Sequence, residues 1–210
     1  EDIIKKDLNF LPLKTNAYIH EGNALKMDWN EILPQTSIVY AISNPPYRGA
    51  RLMNPEQKKD VLTVFKDSKN VGNLDYVACW FMKAANLMHN RKVYAAFVST
   101  NSITQGEQVA ALWKPLLKAG VHIDFAYRTF QWDSEATNKA HVYCVIIGFS
   151  NFVNKIKYIY DNDDCKAVSR INPYLVEAPN VLIESRNKAL CDVPEIGIGN
   201  KPIDGGNYLF

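Results

Sequence analysis

The chain has 210 residues, enough for one domain with a sizeable core, or for one and part of a second. With 47% apolar and 22% charged residues it has the make-up of an ordinary globular protein, and it contains no low-complexity tract, no apolar run of membrane-spanning length and no signal-peptide pattern. A net charge of +2 is too small to argue for a nucleic-acid partner by itself. Cys79, Cys144, Cys165 and Cys191 form no C-x-x-C pair and have no histidine at ligand spacing, so no metal site is expected, and scattered thiols fit a reducing cytosol.

Residues 2–10 read as the tail of an amphipathic helix and residues 17–20 as a short strand. Residues 38–43 (IVYAIS) form a continuous apolar run, as expected for a strand buried on both faces. It stops at Asn44-Pro45-Pro46-Tyr47, because two prolines cannot continue a central strand. A helix is expected from Asn54-Pro55, with Asn as N-cap and Pro in the first turn. A second helix runs over 75–89, with Tyr76, Trp80, Ala84, Leu87 and Met88 on one face. Residues 92–99 (KVYAAFVS) are the next buried strand. Residues 106–118 are a helix, with Pro115 as a bend and Gly120 as a stop signal, and strands follow at 121–127 and 142–149.

This alternation predicts a mainly parallel α/β sheet. The segment 128–141 has no helical pattern, which favours a long hairpin and one antiparallel terminal strand. Beyond residue 150, Pro173, Pro179, Pro194 and Pro202 interrupt the pattern, and Asp204-Gly205-Gly206-Asn207 signals a turn. Residues 151–210 therefore read as a segment connecting to another domain, or as an extended flap packed on this one.

In open α/β sheets ligands bind outside the carboxyl ends of the strands, which is where Asn44–Tyr47 is expected. An aromatic amino group is a poor nucleophile because its lone pair is delocalised into the ring. Two acceptors that take both of its hydrogens favour a pyramidal nitrogen. The side-chain oxygen of Asn44 and the backbone carbonyl of Pro45 can supply them. Pro45 and Pro46 preset the backbone, and Tyr47 offers a ring to stack on a base. Such a loop works by electrostatic preorganisation. A stiff polar turn is the plain alternative. Thr100, Asn101 and Ser102 follow a strand end and either line this site or cap the next helix. Arg48, Arg51, Lys58, Lys59, Lys66 and Lys69 make the following stretch basic, suited to phosphate contacts or simply to a solvated helix face.

The stretches IHEGNALKMDW (19–29), ISNPPYRGA (42–50), GNLDYVACWFMKAA (72–85), FVSTNSITQGEQ (97–108), FAYRTFQW (125–132), VYCVIIGF (142–149) and INPYLVEAPNVLIESRNKALCDVPE (171–195) together resemble the gamma-class adenine-N6 DNA methyltransferases, in particular the MmeI-like branch of bacterial restriction–modification enzymes. N-P-P-Y is shared with other amino-group methyltransferases; FVSTNSITQGEQ and INPYLVEAP are far more specific. The resemblance implies a class I methyltransferase fold, a Rossmann-like α/β sheet, with S-adenosylmethionine as methyl donor. It also implies double-stranded DNA as partner, with the target adenine flipped out of the stack, and the bacterial cytoplasm as location. Carried over by position, it makes Asn44, Pro45, Pro46 and Tyr47 the catalytic loop. Asn23 stands where the family often has an acidic residue contacting the cofactor's adenine, with Ala24 beside it. Asn44, Leu74, Asp75 and Tyr76 would also lie at the cofactor, and Phe130, with Trp132 as a nearby substitute, would pack with Tyr47 against the flipped base. Plainer roles exist for several of these: a turn for Asn23, the core for Tyr76, hairpin packing for Phe130.

No F-x-G-x-G cofactor loop occurs in the sequence, nor the acidic residue expected to hold the ribose. In the family's order both precede residue 1. The expectation is therefore a sheet incomplete on its N-terminal side, with residues 1–150 forming the C-terminal part of a catalytic domain that binds cofactor weakly or not at all alone. Residues 151–210 would lead toward a target-recognition domain. Glu56-Gln57-Lys58 has an E-x-K look but no acidic partner before it, so no nuclease site is expected. Protein-glutamine and RNA-guanine methyltransferases also use N-P-P-Y, while the FVSTNSITQGEQ signature sides with DNA. A catalytically inactive DNA-binding piece is the non-enzymatic alternative.

Overall fold

A computed structural model describes residues 19–33, 38–66, 68–89, 91–132, 142–186 and 191–193. The elements in chain order are α1 (Trp29–Ile32), β1 (Ile38–Ser43), α2 (Pro55–Val64), α3 (Ala78–Met88), β2 (Lys92–Thr100), α4 (Gly106–Lys118), β3 (His122–Trp132), β4 (Val142–Ser150), β5 (Lys157–Asp161) and β6 (Asp164–Val168). Three 3-10 turns, Ala50–Leu52, Val71–Asn73 and Asn101–Thr104, sit between them.

The local sequence explains the helix boundaries. At the start of α2, the Gln57 backbone N–H donates to the Asn54 side chain (2.8 Å) and the Asn54 N–H donates to the Gln57 side chain (3.0 Å). This reciprocal cap, with Pro55 in the first turn, is the predicted start. Helix α4 continues past Pro115 to Lys118. It ends where Gly120 takes φ +79°, which a glycine adopts without strain, and the Gly120 N–H closes on the Leu117 carbonyl at 3.0 Å. Helix α3 is shorter than the 75–89 expected, because Tyr76 and Val77 form a turn ahead of it, closed by the Ala78 N–H donating to the Asp75 carbonyl at 3.0 Å.

The chain folds into a mixed α/β arrangement around a six-stranded sheet of order β1-β2-β4-β3-β5-β6. β1 and β2 are parallel, as are β3 and β5, while β4 runs antiparallel between β2 and β3. The antiparallel strand of the expected hairpin is thus inserted inside the sheet. Phe81 of α3 packs on Phe97 of β2 and Phe149 of β4, at 5.3 and 5.1 Å between rings, and reaches Trp113 of α4 at 6.0 Å. This aromatic cluster, fully buried, is the centre of the core on the helix-covered face.

The opposite face accounts for a correction. β1 was expected to be buried on both faces; instead Tyr40 is 70% and Ile42 82% exposed. Val39 and Ala41 pack toward the core, while Tyr40 stacks on Tyr94 (5.4 Å) and Tyr94 on Phe152 (5.0 Å) along the outer face. An apolar run shows that a strand can be buried twice; whether it is depends on what lies over it. On β4, Gly148 lets the Phe125 ring lie close against the sheet, since a Cβ there would stand 2.0 Å from a ring carbon.

Strand β3 extends beyond the expected 127 to Trp132, with register shifts between Ile123 and Phe125 and between Tyr127 and Phe130. β5 and β6, not foreseen from the sequence, continue the sheet beyond residue 150 through a hairpin in which Asn162 takes φ 53°. Ile171 and Leu175 are buried in the same core, and Lys114 of α4 pairs with Glu184. Ile19 and His20 are exposed and irregular, not a strand. The expected helix over 2–10, the start of that short strand (residues 17–18), Pro194, Pro202 and the 204–207 turn lie outside the described residues.

Candidate active site

β1 runs in register with β2 as far as Ser43, opposite Phe97, and the Asn44–Tyr47 loop leaves at that point from the carboxyl end of the strand. Asn44 and Pro46 are exposed, Pro45 is buried and Tyr47 is half-buried. The Tyr47 hydroxyl donates to the Asn44 side-chain oxygen. The Cys144 thiol is a neighbour of that hydroxyl. Burial, first, and then the neighbouring thiol push the Tyr47 hydroxyl well above its ordinary 10.0, so it stays neutral. Burial raises the Cys144 thiol too, partly offset by its contact with Tyr47.

Cys144 is fully buried on β4, directly opposite Thr100 of β2 on one side and Phe130 of β3 on the other. Directly opposed residues on neighbouring strands share a face of the sheet, so Thr100, Cys144 and Phe130 form a row beneath the loop. Phe130 meets Tyr127 edge-on at 5.4 Å and Trp132 at 6.4 Å, and Trp132 is 40% exposed. The strand pairing thus brings Phe130 into the row that carries Cys144, the neighbour of Tyr47.

Asp75 lies behind the loop, only 4% exposed. Its Oδ1 accepts the backbone N–H groups of Arg48 (3.0 Å) and Val77 (3.3 Å), and its Oδ2 accepts the Thr100 hydroxyl (3.1 Å). The Thr100 and Ser102 hydroxyls are 2.8 Å apart, and neither caps α4, whose start has no side-chain cap. The Asp75 N–H donates to the Gln108 side chain (2.9 Å), and the Tyr76 N–H to the Arg48 carbonyl (2.9 Å). Tyr76 is buried, donates its hydroxyl to Asp60 (2.7 Å) beneath α2 and meets Trp80 edge-on; burial and Asp60 push its hydroxyl up. Leu74 is fully buried.

Asn23 is exposed, and its side-chain oxygen accepts the Leu25 N–H (2.9 Å) in a local turn. The Ala24 carbonyl accepts the Trp29 indole N–H (2.8 Å). An open cleft of about 810 Å³ begins just past the loop, lined by Gly49–Leu52, Asn73, Ser102 and Gln105–Gln108. Arg51, Lys58, Lys59, Lys66 and Lys69 are exposed, while Arg48 donates from Nε to the Leu52 carbonyl (2.9 Å). Sequence reasoning missed Asp60, Gln108 and Cys144. Asp60 sits in a lysine-rich helix that reads as solvated, and Cys144 is one apolar letter among many; Gln108 at least belonged to the FVSTNSITQGEQ stretch. Among the described residues no three ligating side chains cluster to hold a metal, and no helix is long and apolar enough to cross a membrane.

The family model for the MmeI DNA-methyltransferase domain matches residues 1–161. DNA methyltransferase A of Bacillus subtilis (strain 168) is 43% identical over 203 residues, which cover 95% of this chain and 23% of that protein. A solved structure of the Type IIL restriction-modification enzyme MmeI in complex with DNA superposes with a TM-score of 0.87 at 42% identity, covering 95% of this chain and 28% of that one. The chain spans about a quarter of the length of these relatives. With its strand-end Asn-Pro-Pro-Tyr loop and a family match over most of its length, the chain belongs to the MmeI-type DNA methyltransferase family.

Proposed function

We propose that this chain supplies the amino-group-activating part of an enzyme that methylates adenine N6 in double-stranded DNA, within a restriction–modification system and with S-adenosylmethionine as donor. The observation that carries the reading is the exposed Asn44 side chain at the carboxyl end of β1, with Tyr47 beside it and the Thr100–Cys144–Phe130 row below. The DNA complex of the MmeI relative supports DNA as partner. The six-stranded mixed sheet fits the class I methyltransferase fold, and the reading puts the protein in a bacterial cytoplasm.

The donor supplies an electrophilic methyl carbon; activating the nucleophile is the work of this chain. When a flipped adenine enters, Tyr47 exchanges its hydrogen bond to Asn44 for a stacking contact with the base. The Asn44 oxygen and the Pro45 carbonyl then accept the two amino hydrogens, which concentrates the lone pair on N6. The N–C bond would form as the donor's S–C bond breaks and its electron pair returns to sulfur, leaving a neutral thioether; the nitrogen, then cationic, releases one proton toward the solvent that reaches exposed Asn44. Phe130 and Trp132 close the side of the base away from Tyr47. The residues fit the donor in part. Asn23, exposed, can donate its amide N–H to a ring nitrogen, and Asn44 is open. Leu74 and Tyr76 are engaged in the interior.

The test is labelled methyl transfer by the full-length protein to unmethylated duplex DNA, structured RNA and a glutamine-bearing peptide in parallel. Label in DNA adenine alone is the expected result. Label in RNA or peptide would replace this reading with the corresponding amino methyltransferase, and binding of DNA without transfer to any substrate would leave a DNA-binding role only.

A further inference from the structure

Asp75 occupies a position that the family resemblance assigns to the cofactor, yet its surroundings suit a different task. The carboxylate is buried, and both oxygens accept hydrogen bonds from this chain's own groups: the Arg48 and Val77 N–H groups on one, the Thr100 hydroxyl on the other. Arg48 is the residue directly after Tyr47. Its N–H is held by Asp75 and its carbonyl by the Tyr76 N–H, so one peptide segment is gripped on both sides. The Asp75 backbone is itself tied to α4 through Gln108.

We propose that Asp75 is the positioning residue of the catalytic loop, clamping Arg48 so that Asn44 and Pro45 are held at the reacting amino group, and that it does not bind the methyl donor. The loop is then fixed at both ends: at Ser43 by the β1–β2 register and at Arg48 by the clamp. Two prolines stiffen the residues between. Catalysis by two acceptors depends on sub-ångström placement, and a displacement of about 1 Å can cost about a hundredfold in rate. A carboxyl group with two oxygens can accept from several donors at once, which suits Asp75 to this grip. Thr100 links the clamp to the strand that pairs with Cys144, so the loop, the clamp and the floor of the base site are one connected unit.

The inference rests on the proposed methyl transfer, and the test separates the two. In the full-length protein, Asp75→Ala, Asp75→Asn and Thr100→Val are compared with wild type for kcat, KM for DNA, Kd for S-adenosylmethionine, and amide hydrogen exchange of the peptide carrying residues 44–52. Asp75→Asn keeps one acceptor for Arg48 and offers an N–H to Thr100, so it can rebuild the clamp. The expected outcome is a kcat lowered about a hundredfold or more in Asp75→Ala, a smaller loss in Thr100→Val, and recovery to within about tenfold of wild type in Asp75→Asn. Donor affinity should stay within about threefold throughout, and exchange at Arg48 should accelerate in Asp75→Ala. A donor Kd that rises in parallel with the loss of activity would make Asp75 a cofactor ligand and overturn the proposal; so would an Asp75→Ala variant with unchanged kcat and unchanged exchange. Should the wild-type protein transfer no methyl group, the functional reading fails, while protection at Arg48 that is lost in Asp75→Ala still establishes the clamp.

Discussion

The Tyr47 hydroxyl donates to the side-chain oxygen of Asn44, three residues earlier in the same loop. The oxygen proposed to accept from an amino group thus already holds one hydrogen bond, with a second lone pair left, and that bond braces the loop. Tyr47→Phe removes that bond and keeps the ring. The expected result is a KM for DNA within about threefold of wild type. Tyr47→Ala removes the stacking surface as well, and base–aromatic stacking worth about 1–3 kcal/mol predicts DNA binding weaker by about 5- to 150-fold. Equal effects of the two substitutions would assign the role to the hydroxyl instead of the ring.

Thiol labelling reads the closure of the same loop. Cys79 and Cys144 are buried, and burial pushes the Cys79 thiol up to about 12, whereas Cys165 and Cys191 are exposed. A thiolate reagent at pH 8 should modify Cys165 and Cys191 rapidly in the folded protein and the other two only on unfolding. Rapid modification of Cys144, assigned by peptide mapping, would show that Tyr47 does not stay over it.

Stability should fall in alkali, and the sign follows from the raised groups. Cys79, Tyr47 and Tyr76 hold their protons more tightly folded than unfolded, against ordinary values of 9.0, 10.0 and 10.0. Above those values the unfolded chain releases protons that the folded chain keeps, so the folded state loses its advantage as pH rises. The urea midpoint should be flat to about pH 9 and decline more steeply above 10. Tyr76→Phe should flatten part of that decline. It should also lower stability at pH 7 by about 1–3 kcal/mol, since Asp60 loses its buried donor.

Gly148→Ala tests the packing of the open face. The added carbon meets the Phe125 ring, which must shift off the sheet. A loss of about 1–3 kcal/mol is expected from urea unfolding, relieved in part by Phe125→Leu in the same chain. Unchanged stability would mean that the ring does not rest on Gly148.

Much of the fold was legible because it is locally encoded. Asn54, Pro55 and Gln57 announce the start of α2, Gly120 the end of α4, and Pro45 and Pro46 the end of β1, each through backbone chemistry within a few residues. The exposed outer face of β1 was not legible, since Ile38, Tyr40 and Ile42 have the same composition whether covered or open. β5 and β6 escaped notice because they are five residues each, and β6 (Asp164–Val168) is mostly exposed and lacks a clear alternation. In the site, Asn44 and Tyr47 stand three apart and were read together. The clamp joins Arg48 to Asp75 across 27 residues and Asp75 to Thr100 across 25, and only the folded chain shows that it exists.

On the proposed function, Asn44 activates adenine N6 by accepting from its amino group. The most direct measurement is nucleoside analysis of duplex DNA after incubation with S-adenosylmethionine and the full-length protein, comparing wild type, Asn44→Ala and Asn44→Asp. N6-methyladenine is expected with wild type, with a loss of about a hundredfold or more in Asn44→Ala at unchanged DNA affinity, and a smaller loss in Asn44→Asp, which retains acceptor oxygens. Undiminished N6-methyladenine from Asn44→Ala, or methylation at a site other than adenine N6, would rule out this role for Asn44.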